Sequence, residues 1–185
     1  MPAPMHVVFR AGQTGPWRIE SVEEIRGPGL AKAPRLEIAE GSHLPGTGNS
    51  AWTLRGVTSN LRYTNRDELL SLESKQEGLG RVQATCAALI PIRKSETWWN
   101  LAQDERRSIF EAQSRHIAIG SLYLPAIARR LHHSRDLGEP FDFLTWFEFS
   151  PEHGSAFGRM LDELRATEEW KYVEREVEIR LARSA

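Results

Sequence analysis

The sequence predicts an α+β protein whose second half follows a βαββαβ order, the unit of ferredoxin-like folds. Strand-like and helix-like segments follow one another cleanly from residue 81 onward. The first fifty residues are instead broken repeatedly by glycine and proline. The chain has 185 residues, of which 40% are hydrophobic and 26% charged. These values are typical of a globular protein, and we expect a single domain over residues 1–185.

Residues 1–79 form the less regular half. We expect a short strand at His6–Arg10, a second around Leu36–Ala39 and a third over Trp52–Tyr63. A helix is predicted from about Asn65 to Gln76, because glycines follow it at 78 and 80. This half therefore contains fewer recognisable elements than the second.

Residues 80–185 are predicted to form a complete ferredoxin-like half. Its expected elements are a strand at 81–91, a helix at 101–119, strands at 125–133 and 142–149, a helix at 151–164 and a strand at 172–181. The order of these six elements gives the fold class.

Composition excludes several classes of protein. Lys and Arg total 24 and Asp and Glu total 25, so no overall basic field favours a nucleic-acid partner. The single Cys86 forms no intrachain disulfide, and no apolar run reaches the length of a membrane span. The first residues lack the pattern of a secretory signal. We expect a cytoplasmic protein that binds neither nucleic acid nor membrane.

His116 is the candidate metal ligand. In the predicted helix 101–119 it shares an apolar stripe with Ile109, Phe110, Gln113 and Ile117, which directs its imidazole inward. An inward histidine is more often a packed core residue, but histidine is also the commonest metal ligand. Arg129 follows thirteen positions later on a predicted strand. The pair suggests haem iron beside a cationic pocket.

Alternation along strand 125–133 separates two neighbouring arginines. Arg129 shares its face with Ile127 and Leu131, whereas Arg130 shares the other face with His132. A cation among apolar side chains needs an anion or a hydrogen-bonding partner. We therefore expect Arg129 to be the interior cation and Arg130 to lie on a solvated face.

Several motifs together resemble the chlorite dismutase family of haem proteins, in particular its short dimeric branch. They are IARRLHHSRDLGEPFDFLTWFEF (Ile127–Phe149), LRATEEWKYVEREVEIRL (Leu164–Leu181), LIPIRKSETWW and QDERRSIFEAQSRHIA. The resemblance is strongest over about Trp52–Leu181. It implies a dimeric α+β barrel made of two ferredoxin-like halves, of which the first is abbreviated.

The resemblance also implies a haem b site and roles for eight residues. His116 matches the proximal iron ligand, Arg129 the distal arginine and Gln76 the glutamine that positions this arginine. A proximal network matches Glu169, Lys94 and Trp98, and haem propionate contacts match Tyr63 and Asn60. A carboxylate behind a ligating histidine fixes its tautomer and raises its basicity.

The activity implied by the resemblance is conversion of chlorite to chloride and dioxygen, with O–O bond formation at a ferric or ferryl haem. Arg129 would hold the chlorite anion in this reaction. The resemblance also implies a homodimer. Coproheme decarboxylase is an alternative on the same scaffold, although its distal site is of a glutamine type and Arg129 argues against it. A weak peroxidase acting on hydrogen peroxide is a second alternative, although the pocket lacks a distal histidine as general base. A haem carrier or sensor without turnover is a third.

Overall fold

The computed structural model describes residues 4–41, 49–58, 66–75 and 77–184. Strands β1 to β8 of this part close into one antiparallel barrel in the order β1-β3-β2-β8-β5-β7-β6-β4. Pairing of β1 with β4 completes the closure. The strands are His6–Gly12, Trp17–Arg26, Arg35–Glu40, Ser50–Thr58, Cys86–Lys94, Ala128–His133, Phe143–Phe149 and Val173–Ala182.

Five α-helices accompany this barrel in the part of the chain that the structure describes. Helices α1 to α5 span Arg66–Lys75, Glu96–Asn100, Gln103–Arg107, His116–Leu122 and Gly154–Arg165. A π-helix at Ser108–Gln113 follows α3, and a 3₁₀ turn at Glu168–Tyr172 precedes β8. Within the described residues, no helix is both long and apolar enough to cross a bilayer.

The second half has the predicted βαββαβ order. Its strands lie side by side as β8-β5-β7-β6, and α2 to α4 connect β5 to β6 while α5 connects β7 to β8. The first half repeats this arrangement as β4-β1-β3-β2. No described residue between β1 and β2, or between β3 and β4, is helical. The described part of the first half therefore has the strands of such a unit without its helices.

Strand β2 was not predicted from the sequence. Its residues Trp17–Arg26 contain five glutamates or arginines at exposed positions, and only Trp17 is buried. A strand with so little apolar alternation is determined by pairing with its neighbours, here β8 and β3.

Each strand of the second half packs on both of its faces. The inner face fills the barrel with a cluster that includes Phe9, Leu144, Trp146 and Ile179. The outer face packs against α5 and the 3₁₀ turn through a second cluster. Closing the sheet buries most of the inner face, so neither face of these strands is generally solvated.

This closure corrects the prediction of a solvated face for His132, whereas Arg130 stays partly exposed. His132 has 0% relative exposure and packs edge-on against Phe9 at 5.1 Å between ring centroids. Its Nε2 accepts a hydrogen bond from Arg130 Nε at 3.1 Å. Alternation placed these two residues on a common face correctly, but the closed barrel buries His132, while Arg130 Nη2 pairs with the exposed Glu40.

The predicted helix 101–119 is also wrong as a continuous element. It is divided among α3, the π-helix and α4, with Arg115 in the left-handed region at φ 51° before α4 begins. Gln113, which was expected on the inward stripe, is exposed. The wider π-helical turn and the left-handed residue change the direction of successive side chains, so helical spacing no longer predicts a common face.

Candidate active site

A cavity lies on the outer face of the sheet, under α4 and the 3₁₀ turn. The space within it that water could occupy is about 90 Å³. Its walls are largely apolar and aromatic, with a few charged groups. The lining residues are Ile92, Lys94, Trp98, Phe110, His116, Leu131, Phe143, Thr145, Glu169, Trp170 and Val173.

His116 enters this cavity from the first position of α4. The Glu111 carboxylate caps the start of this helix by accepting the Ile117 N–H at 3.1 Å. The imidazole stacks on Phe110 at 4.6 Å and on Trp170 at 6.1 Å between ring centroids. Its side chain keeps 25% exposure. The ring is thus clamped between aromatic groups while its edge stays accessible.

Glu169 joins His116 to Lys94 on the wall of the cavity. One carboxylate oxygen, Oε2, lies 2.7 Å from His116 Nδ1, and the other, Oε1, accepts from Lys94 Nζ at 2.5 Å. The Glu169 backbone N–H donates to Ser114 Oγ at 2.9 Å, which anchors the turn. Both partners of the ion pair are almost completely buried. The three predicted residues therefore form one connected network.

The environment keeps Glu169 ionised. Burial raises its pKa, but the charges of His116 and Lys94 and their hydrogen bonds outweigh burial and lower the pKa to about 2. Burial also lowers the pKa of Lys94, against the attraction of Glu169. An ionised carboxylate only accepts hydrogen bonds, so His116 Nδ1 carries the proton. In the neutral form of this imidazole, the Nε2 lone pair is available to a metal ion.

Lys94 and Trp98 are positioned together by the junction of β5 and α2. Ser95 caps α2, and its Oγ accepts the Trp98 N–H at 3.4 Å. The Lys94 ammonium lies 3.5 Å from the centroid of the Trp98 ring. Trp98 is 1% exposed, and its indole Nε1 is buried with no hydrogen-bond partner among the described residues. A buried donor of this kind at a cavity wall favours an acidic ligand group.

Arg129 lies on the outer face of β6, opposite Phe147 of β7. It does not line the cavity around His116, although Leu131 on the same face does. Its guanidinium instead packs against Gly120, one turn after His116 on α4. Burial lowers the pKa of Arg129. The structure thus places this cation beside the helix that carries His116.

Three predicted site residues, Gln76, Tyr63 and Asn60, lie outside the described residues. Their assigned roles stay predictions.

Several residues that position the His116–Glu169–Lys94 network were not predicted from the sequence. Asp142 accepts the Lys94 backbone N–H at 2.7 Å and so fixes the end of β5. Ser114 anchors Glu169, and Trp170 stacks on His116. Nothing in the local sequence distinguishes Asp142 and Trp170, because their contacts are made with residues far away in the chain. The segment QSRH around the ligand histidine was the one available signal for Ser114.

Known proteins resemble this chain in sequence and in fold. The chlorite dismutase family model matches residues 36–185. A curated chlorite dismutase from Ideonella dechloratans is 30% identical over 122 residues, which are 65% of this chain and 41% of that protein. The match thus spans less than half the length of that relative.

Solved structures extend the match to nearly the whole chain. The crystal structure of dimeric chlorite dismutases from Nitrobacter winogradskyi has a TM-score of 0.89 and 57% identity, covering 96% of this chain and 99% of that one. A mutant chlorite dismutase from Candidatus Nitrospira defluvii has a TM-score of 0.67 and 19% identity over 97% and 91%, and shows the shared fold. The chain belongs to the chlorite dismutase family.

Proposed function

We propose that this protein is a haem b-dependent chlorite dismutase, which converts chlorite to chloride and dioxygen. The overall reaction, ClO₂⁻ → Cl⁻ + O₂, is balanced without a further oxidant or reductant. The observation that carries the proposal is the His116–Glu169–Lys94 network on the wall of an apolar, aromatic cavity.

The residues present fit a haem group. The described residues contain no cluster of three or more His, Cys, Asp or Glu side chains that could hold a metal ion by themselves. A single histidine with a free Nε2 suits an iron whose other ligands come from a porphyrin. The orphan Trp98 Nε1 suits a propionate carboxylate at the cavity wall.

His116 Nε2 would bind the haem iron. Glu169 would hold the imidazole in the Nδ1–H tautomer and increase its electron donation, and Lys94 would balance the carboxylate charge. Haem iron, when bound there, supplies the electron transfer that breaks Cl–O bonds and lets the two oxygens join. The aromatic walls would exclude water from this chemistry.

Arg129 would act on the substrate anion. Guanidinium groups bind small oxyanions through charge-assisted hydrogen bonds, which strengthen where water is excluded. Arg129 would orient chlorite and then retain the chlorine-containing fragment until the oxygens have joined. Gln76 would hold Arg129 in this pose, and Tyr63 and Asn60 would contact the propionates.

We further propose a homodimer, since the Nitrobacter winogradskyi relative is described as dimeric. The strand orders of the two halves support a dimeric α+β barrel fold, with ferredoxin-like halves at 1–79 and 80–185 in one domain. The cytoplasmic location stays a prediction from the sequence.

The test is oxygen release at an electrode after chlorite is added to haem-loaded protein. We expect rapid release from the wild type and a loss of at least 100-fold in Arg129→Ala at equal haem content. Arg130→Ala is the matched control, because Arg130 lies on the opposite face of β6 and pairs with Glu40, and it should retain most activity. Absence of oxygen from fully loaded wild type would refute the activity, and equal rates in Arg129→Ala would refute the role of Arg129.

A further inference from the structure

We propose that Gly120 is a positioning residue for Arg129, because its missing side chain forms the seat in which the guanidinium rests. The inference deepens the proposed function and rests on it. Neither the sequence pattern nor the roles implied by the family resemblance include this glycine.

The contact between the two residues leaves no room for a methyl group. A Cβ built on Gly120 would lie 2.7 Å from Arg129 Cζ and 2.9 Å from Nη2, and closer still to Nη1. Real Cβ atoms essentially never approach another atom within 3.0 Å. The clashing atoms are the far end of a long side chain, so the guanidinium would move while the backbone stays in place. Adding one methyl group should therefore displace Arg129 without unfolding the barrel.

The position of Gly120 connects the two functional residues. Gly120 lies four residues after His116 on α4, so the two positions lie on similar sides of one helix. The chain then turns through Tyr123, whose carbonyl accepts the Ile127 N–H at 3.0 Å, and enters β6. A single segment of 14 residues, from 116 to 129, thus carries the imidazole, the seat and the guanidinium. Movement of α4 would move both groups together.

Other helical glycines do not share this feature. Gly158 lies inside α5, and a Cβ there would meet no atom within 4 Å. Gly158→Ala is therefore a matched control for the general effects of replacing a helical glycine by alanine.

The test is a double-mutant cycle on haem-loaded protein with Gly120→Ala, Arg129→Ala and their combination. Two quantities are measured: kcat/KM for chlorite, and the dissociation constant of cyanide from the ferric haem, followed by absorbance. We expect Gly120→Ala to lower kcat/KM by roughly 100-fold, since displacement of a catalytic group by about 1 Å has effects of this size. The double variant should match Arg129→Ala, because Gly120 acts only through the arginine.

Cyanide binding separates this inference from the proposed function. Even if the wild type releases no oxygen, Gly120→Ala should weaken cyanide binding as Arg129→Ala does, with no further loss in the double variant. If Gly120→Ala folds poorly, the double variant should recover folding, because removing the guanidinium removes the clash. The inference is overturned if Gly120→Ala behaves like Gly158→Ala, if the two effects add, or if the double variant also fails to fold.

Discussion

The two faces of the sheet formed by β6 and β7 are both buried, but they are built from different chemistry. The inner face packs Trp146 against Phe9 and Trp17, and its histidine, His132, donates Nδ1–H to the Leu144 carbonyl at 2.9 Å. The outer face borders a cavity whose wall holds the charged pair Lys94 and Glu169. The inner face holds the aromatic core of the barrel, and the outer face holds His116 with its charged network. Stability and activity should therefore respond to different substitutions.

Trp146→Ala should produce the largest loss of stability. The side chain is 1% exposed and surrounded by aromatic rings, so its removal leaves a large cavity inside the barrel. We expect the free energy of unfolding to fall by about 3–5 kcal/mol, measured by urea denaturation. Leu122→Ala, at a position 76% exposed, should change it by no more than about 0.5 kcal/mol. Similar effects of the two substitutions would contradict a tightly packed inner face.

His132 should make the barrel sensitive to mild acid. Burial, assisted by Arg130 and His133, lowers its pKa from 6.5 to about 4, while its bond to the Leu144 carbonyl opposes the shift. Because the folded-state pKa is the lower one, protonation favours the unfolded chain. The contribution of His132 is complete above about pH 6.5 and falls by about 3 kcal/mol as the pH drops to 4.

The check is urea denaturation of wild type and His132→Gln between pH 7 and pH 4. Glutamine does not titrate, so the variant should lose less stability over this interval than the wild type. Parallel curves for the two proteins would show that His132 is not a buried neutral histidine.

On the outer face, Glu169→Gln should weaken haem binding without unfolding the protein. The amide removes the negative charge that orients His116 and pairs with Lys94. Loss of such a supporting group typically costs 10–100-fold in metal affinity, and we expect about this increase in haem dissociation, measured by transfer to excess apomyoglobin. Glu168→Gln is the neighbouring control, since Glu168 pairs with exposed Lys171. Equal haem loss from both variants would remove Glu169 from the network.

Gly158→Ala should have the smallest effect, and of the opposite sign. Gly158 lies in α5, and a Cβ there would meet no atom within 4 Å. Alanine, which has the higher helix propensity, therefore fits without a clash. We expect the free energy of unfolding, measured by urea denaturation, to increase by about 0.5–1 kcal/mol, with unchanged chlorite turnover. A loss of stability would indicate that α5 packs more closely than the structure shows.

The sequence was most informative where alternation and order are local. The βαββαβ order of residues 80–185 and the common outer face of Arg129 and Leu131 follow from patterns within single segments. The start of α4 at His116 could not be predicted, because a left-handed Arg115 has no signal in its residue type. The burial of His132 depends on barrel closure between distant strands, such as β1 and β4.

In the site, too, local patterns identify residues but do not predict contacts between distant segments. His116, Glu169, Lys94 and Trp98 were identified through family motifs, and they lie together. Their mutual distances depend on segments far apart in the chain, which residue patterns cannot supply. Gly120 was missed because its role is the absence of a side chain, although a glycine four residues after the ligand histidine was visible in the sequence.

Haem titration of two histidine variants tests most directly whether haem binds at the outer face of the sheet and not at the inner face. Haem is added stepwise to wild type, His116→Ala and His132→Gln, and binding is followed by the Soret absorbance, with folding checked by near-UV circular dichroism. We predict a sharp one-to-one end point for wild type and His132→Gln, and none for His116→Ala. Retained stoichiometric binding in folded His116→Ala would contradict the assignment of the outer cavity as the haem site.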